Sequence, residues 1–118
     1  MKLTGLYVDD LREAPKGWVL ARTITEAISL LRITKWDYVS CDHDIAHIIG
    51  KTDNGLDIPF ASPENFTPVI MYIAEMPSEI RPKVACHSAN PNAHVKYSNI
   101  LESVGDKLRR FTEYVLDD

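Results

Sequence analysis

A chain of 118 residues, 45% hydrophobic and 25% charged, is long enough for one modest core and has the composition of an ordinary globular domain, which excludes a disordered chain. Its net charge of -4 argues against a general DNA or RNA binder, which needs a basic face, but not against an enzyme that touches one nucleotide or one RNA end. No apolar run approaches the roughly 20 residues of a membrane helix, and the opening MKLTGLYVDD meets an acidic pair too early for a signal peptide.

In chain order, residues 2–8 (KLTGLYV) read as a short buried strand, ended by Asp9-Asp10. Residues 11–17 (LREAPKG) carry Pro15 and Gly17 and read as a loop. WVLART, 18–23, reads as a second strand. Thr23 or Thr25 then offers a cap for a helix with Ile24, Ala27, Ile28 and Leu31 at helical spacing. WDYVSC, 36–41, is a third strand. Residues 42–66 are polar and hold turn residues throughout, among them Gly50, Asn54, Gly55, Pro59 and Pro63. A segment of that kind is usually functional or mobile. PVIMYIAEM, 68–76, reads as a helix with Pro68 in its first turn. KVACHS, 83–88, is a fourth strand, and 92–104 a further helix. Residues 106–116 are a helix or a final strand, with helix preferred and Arg109-Arg110 on its solvated face.

Alternating strands and helices predict one α/β domain over 1–118, with a mostly parallel sheet in the order 2-1-3-4. Such a three-layer arrangement covers the sheet on both faces. One feature is awkward: residues 9–17 are short for a parallel crossover, which normally takes a dozen or more residues. Cys41 and Cys86 lie in apolar strands without CxxC spacing and read as reduced thiols of a cytoplasmic protein.

In open sheets of this kind, ligands bind beyond the carboxyl ends of the strands, where strand order reverses. Three of the four expected strands end in polar residues: Asp9-Asp10, Asp42-His43-Asp44 and His87-Ser88. Gathered carboxylates repel one another and call for a cation or bound protons. A hard divalent ion such as Mg²⁺ suits the oxygens of Asp9, Asp10 and Asp42. His43 and His87 could exchange protons near neutral pH. Arg12 could hold a phosphate bidentately, and free N–H groups at a helix start near Ser88 and Asn90 could add to that hold. Each feature has a plainer reading. Asp9-Asp10, Ser88 and Asn90 could be turns or caps, His87 a core histidine, and Arg12 a solvated side chain. His47 and His94 read mainly as exposed side chains.

The stretches VDDLREAP, GWVLART, SCDHDI and CHSANP resemble receiver domains, with an acidic pair after the first strand and an aspartate after the third. They resemble most the cyclic-phosphate-processing receiver-like domains. The chain departs from signalling receivers in His43-Asp44, in His87-Ser88, and in lacking a strand end with lysine, for which Lys107 is a poor candidate. It also has Cys41 where leucine would be expected, and no glycine directly after the DHD motif. The resemblance implies a flavodoxin-like fold and a phosphodiesterase acting on cyclic phosphates of nucleotides or RNA ends. The implied site residues are Asp9, Asp10, Arg12, Asp42, His43, Asp44, His87, Ser88 and Asn90. Of these, Asp42, His43, Asp44 and His87 would be catalytic; Arg12, Ser88 and Asn90 would bind phosphate; Asp9, Asp10 and Asp42 would take Mg²⁺ or Mn²⁺. The competing reading is a non-catalytic module, phosphorylated on Asp42 or binding a phosphorylated ligand.

Overall fold

The computed structural model describes residues 3–111, with backbone alone for 46–51 and 57–64. Five parallel strands form the main sheet. They are β1 (Gly5–Val8), β2 (Val19–Ala21), β3 (Tyr38–Cys41), β6 (Lys83–Cys86) and β7 (Leu108–Arg109), in the order β2-β1-β3-β6-β7. The expected order 2-1-3-4 is therefore present, extended by one edge strand. That strand corrects the helix preferred for 106–116: Leu108 and Arg109 pair with Val84 and Ala85. The apolar Leu108 packs on the core, and the short apolar–charged alternation suits an edge better than a helix face. Residues 112–116 of that expectation lie outside the described residues.

The polar segment 42–66 is not a loop. It contains an antiparallel hairpin, β4 (Asp44–Lys51) with β5 (Asp57–Asn65), turning at Thr52–Leu56. Gly55 sits there at φ +81°, a left-handed conformation in which glycine carries no steric penalty. Turn residues within 42–66 therefore mark one hairpin tip and two irregularities in register rather than continuous coil.

Three helices connect the strands: α1 (Ile24–Ile33), α2 (Thr67–Ala74) and α3 (Pro91–Glu102). Thr23 is the N-cap of α1, its hydroxyl accepting from Glu26 N at 3.0 Å. Asn65 Oδ1 accepts from Thr67 N at the start of α2. Asn90 caps α3, with Pro91 at its first position.

The core alternates along the strands. Leu6, Val8, Val39, Cys41, Val84 and Cys86 all join one apolar cluster with Leu31 of α1, Ile70 of α2 and Tyr97 of α3. All three helices thus lie against a single face, as right-handed crossovers require. Each of these connections steps the same way across the sheet, and only the β1–β2 connection steps back. That connection carries no helix, which resolves the awkward length of 9–17. The opposite face holds Tyr7, Ser40 and Ala85, all buried. Among the described residues no helix covers it, and its third layer includes the rings of Trp18, Phe111 and His87 gathered around Tyr7. Gly5 is needed beneath Trp18, because a Cβ there would lie 2.6 Å from Trp18 Cε3.

Cys41 and Cys86 are neighbours in register on β3 and β6, and both are free, buried thiols. Burial pushes both thiols up, Cys86 to about 11, as expected for inert core cysteines. Among the described residues no helix is long and apolar enough to cross a membrane.

Candidate functional site

The carboxyl ends of β1, β3 and β6 meet at a cavity of about 270 Å³, lined by Asp9, Asp10, Leu11, Arg12, Asp42, Asp44, Ser88, Ala89 and Asn90. A larger groove of about 410 Å³ runs beside α1 and the turn after α2, but its lining, which includes Tyr72, Glu75 and Ile80, holds no cluster of reactive groups. The strand-end cavity is the chemical one. It carries four carboxylates against one guanidinium.

Asp9 is fully buried and fully engaged. Its Oδ1 accepts from the backbone N–H of Leu11 and of Arg12, both at 2.8 Å. Its Oδ2 lies 2.9 Å from His87 Nε2. Burial pushes this carboxyl up, but the two N–H donors and His87 outweigh it and hold it below the ordinary carboxylate range. Asp42 behaves oppositely. Burial raises it, and the nearby Asp9 charge adds to the rise, against a single backbone N–H from His43. The site therefore has one carboxylate held ionised and one more ready to carry a proton, the arrangement that separates acid and base roles between like groups.

The two histidines stand behind the carboxylates. Asp42 and Asp44 line the cavity, while His43, between them in the link from β3 to β4, does not. The His43 ring sits 5.6 Å from that of Tyr97, its Nδ1 is 2.8 Å from Asp44 Oδ1, and its buried Nε2 has no partner. His87 lies flat on Tyr7, with ring centroids 4.1 Å apart and planes within 7°. Its Nδ1 is 2.7 Å from Ser40 Oγ, and its side chain is 5% exposed. Burial lowers the His87 pKa, and Asp9 only partly restores it, so the ring is neutral at pH 7. The neutral ring donates from Nε2–H to Asp9 and accepts the Ser40 hydroxyl at Nδ1. Neither ring lines the cavity.

Arg12 donates from Nη1 to the carbonyl of His87 at 2.9 Å, tying the β1 loop to the end of β6. Arg22 braces the same loop from behind by donating to the Arg12 carbonyl, also at 2.9 Å. At the start of α3, Asn90 Oδ1 takes Asn92 N–H, Pro91 has none, and Ser88 Oγ takes Asn90 N–H. The helix start is therefore largely capped by its own residues. Ser88 and Asn90 line the cavity through the turn rather than through a row of free amides. His94 steadies that turn by bonding the Ser88 carbonyl through Nε2 at 2.8 Å. His47 lies in β4, among the residues whose side chains are outside the description.

Every residue expected at the site is thus at or directly behind one cavity. Ser40, Tyr7, Arg22 and Tyr97 were not anticipated there. Ser40 had a signal, a polar residue in an apolar strand two positions before Asp42. Tyr97, whose hydroxyl donates to the Asp42 carbonyl at 2.8 Å, had none beyond helical spacing.

The ligand-capable atoms of Asp9, Asp42 and His87 lie within 4.8 Å of one another. Two carboxylate oxygens and an imidazole nitrogen are a donor set that fits a divalent cation, with the nitrogen favouring Mn²⁺, which takes imidazole more readily, over Mg²⁺.

No curated protein matches the chain. The family of cyclic-phosphate processing receiver domains matches residues 4–103, and the chain belongs to that family.

Proposed function

With that membership as the premise, we propose that the protein is a phosphoesterase that opens the cyclic phosphate of a nucleotide or of an RNA end at the strand-end cavity. The observation that supports this best is the combination of Arg12 and the Ser88–Asn90 turn with four aspartates around one space of about 270 Å³.

A phosphate anion entering a cavity with four carboxylates and one guanidinium meets net repulsion. A divalent cation held by Asp9 and Asp42, with His87 as a third ligand, would offset that repulsion and withdraw charge from the phosphoryl group. Arg12, already fixed by its bond to the His87 carbonyl, presents its remaining N–H groups to the phosphate oxygens. The Ser88 hydroxyl hydrogen is a further donor at the cavity wall. Water attacks phosphorus, the bond to one ring oxygen breaks, and that oxygen leaves with a proton. Asp44, a cavity carboxylate that this cation leaves free and that His43 holds in place, is the group suited to take the proton from water and return one to the leaving oxygen. His43 acts through Asp44, fixing where that carboxylate points, and His87 holds Asp9 until a cation takes its Nε2. This differs from direct proton exchange between the imidazoles and the substrate.

The test is hydrolysis of 2′,3′-cyclic nucleotides and cyclic-phosphate-ended RNA with and without Mn²⁺ or Mg²⁺, beside Asp42→Asn and Arg12→Ala. We expect metal-dependent turnover, lost by at least 100-fold in Asp42→Asn and with raised KM in Arg12→Ala. No turnover by the folded wild type under either metal would sink the hydrolase reading for these substrates. Labelling of Asp42 by acetyl phosphate would then favour a phosphorylated module.

A further inference from the structure

Ser40 is buried in the middle of the sheet and cannot reach a ligand in the cavity. Its hydroxyl lies 2.7 Å from His87 Nδ1, and the other nitrogen of that ring is 2.9 Å from Asp9. A hydroxyl is the small side-chain group that can both donate and accept. It therefore satisfies Nδ1 in either tautomer of the neutral ring. Alanine would satisfy neither, and an ammonium or a carboxylate only one.

We propose that Ser40 is a positioning residue that lets His87 exchange its ring proton between the two nitrogens when the site takes up a cation. The inference rests on the proposed cation site of Asp9, Asp42 and His87. Without a cation, Nε2–H faces the Asp9 carboxylate and the Ser40 hydroxyl donates to Nδ1. With one, the Nε2 lone pair is needed for the metal, the proton resides on Nδ1, and Ser40 turns its hydroxyl to accept it. The exchange moves one proton across the ring and leaves the charge of His87 unchanged. The ring itself need not move, because its stacking on Tyr7 fixes the plane and the two polar neighbours lie at opposite nitrogens. Ordered ligand histidines usually gain orientation and basicity from such an outer partner.

The experiment combines ¹⁵N imidazole NMR of the full chain, titrated with diamagnetic Zn²⁺, and Mn²⁺ affinity by electron paramagnetic resonance. Wild type, Ser40→Ala and Ser40→Thr are compared. Expected are an Nε2–H tautomer without metal and Nδ1–H with Zn²⁺ in the wild type. Ser40→Ala should bind Mn²⁺ roughly 10- to 100-fold more weakly, and Ser40→Thr, which keeps the hydroxyl, should recover most of the loss. A wild type that binds metal while His87 stays Nε2–H overturns the proposal but leaves a cation site on Asp9 and Asp42. Wild-type affinity in Ser40→Ala also overturns it alone. A wild type that binds neither ion overturns both this proposal and the cation site beneath it.

Discussion

Asp9→Asn is the substitution whose cost follows most directly from the site. The asparagine oxygen can still accept from Leu11 and Arg12, but as a neutral acceptor. Hydrogen bonds to a charged group are worth about 1.5–3 kcal/mol against about 0.5–1.5 for neutral ones, so the two together lose roughly 2 kcal/mol. The new NH₂ faces His87, whose ring can carry its proton on Nδ1 against Ser40 and accept at Nε2, so there too a charged bond becomes a neutral one. Relief of the buried charge returns part of this, since burial is the largest single influence on Asp9. The net cost is about 1–2 kcal/mol, a fall in Tm of roughly 5 °C for a domain of this size. Urea denaturation of both proteins in chelator-treated buffer at pH 7.5, where His87 is neutral in both, measures it. Because the folded pKa of Asp9 lies below its ordinary 3.8, its ionised form stabilises at all pH values above 3.8, and the contribution disappears only as pH falls through the lower folded value. An unchanged midpoint, or a more stable variant, at pH 7.5 would refute the reasoning, for it would mean that desolvation outweighs the three bonds.

The wild type should lose stability as pH falls below about 6.5, because His87 has a folded pKa below its ordinary 6.5, so the unfolded chain takes up the proton first and the contribution is complete only above that value; urea midpoints between pH 8 and 5 should show this slope, and His87→Phe should flatten it. Gly5→Ala places a methyl 2.6 Å from Trp18 Cε3 and should cost about 1–3 kcal/mol by overpacking, with a shifted tryptophan emission as Trp18 is displaced; native-like emission and Tm would contradict the packing described.

Much of this fold was legible because its signals are local. Buried parallel strands such as GLYV, YVSC and KVAC read as apolar runs, and each ended within two residues of where the polar residues began. The hairpin was missed because its strands mix Gly, Pro and polar residues, and their alternation is broken by two register shifts. The edge strand was missed because two residues carry too little pattern to outweigh the helical spacing around them. At the site, the strand-end rule gathered the right residues. It could not say which way each side chain turned. His43 lies in the link between β3 and β4, where no strand period fixes its direction, and the burial of His87 depends on Tyr7, Ser40 and Phe111, brought together only by the sheet.

The connection between β1 and β2 has a consequence for how this protein can vary. Among the described residues it is the one link between strands that steps back and so carries chain to the far side of the sheet, and it is spent on Asp9, Asp10 and Arg12 at one end and Trp18 at the other. Ten residues therefore serve as both the ligand's threshold and the roof over Tyr7. A fold that kept a helix there could repair its roof without touching its doorway. In this chain, drift at either end is felt at the other, so stability and ligand choice are bound to evolve together.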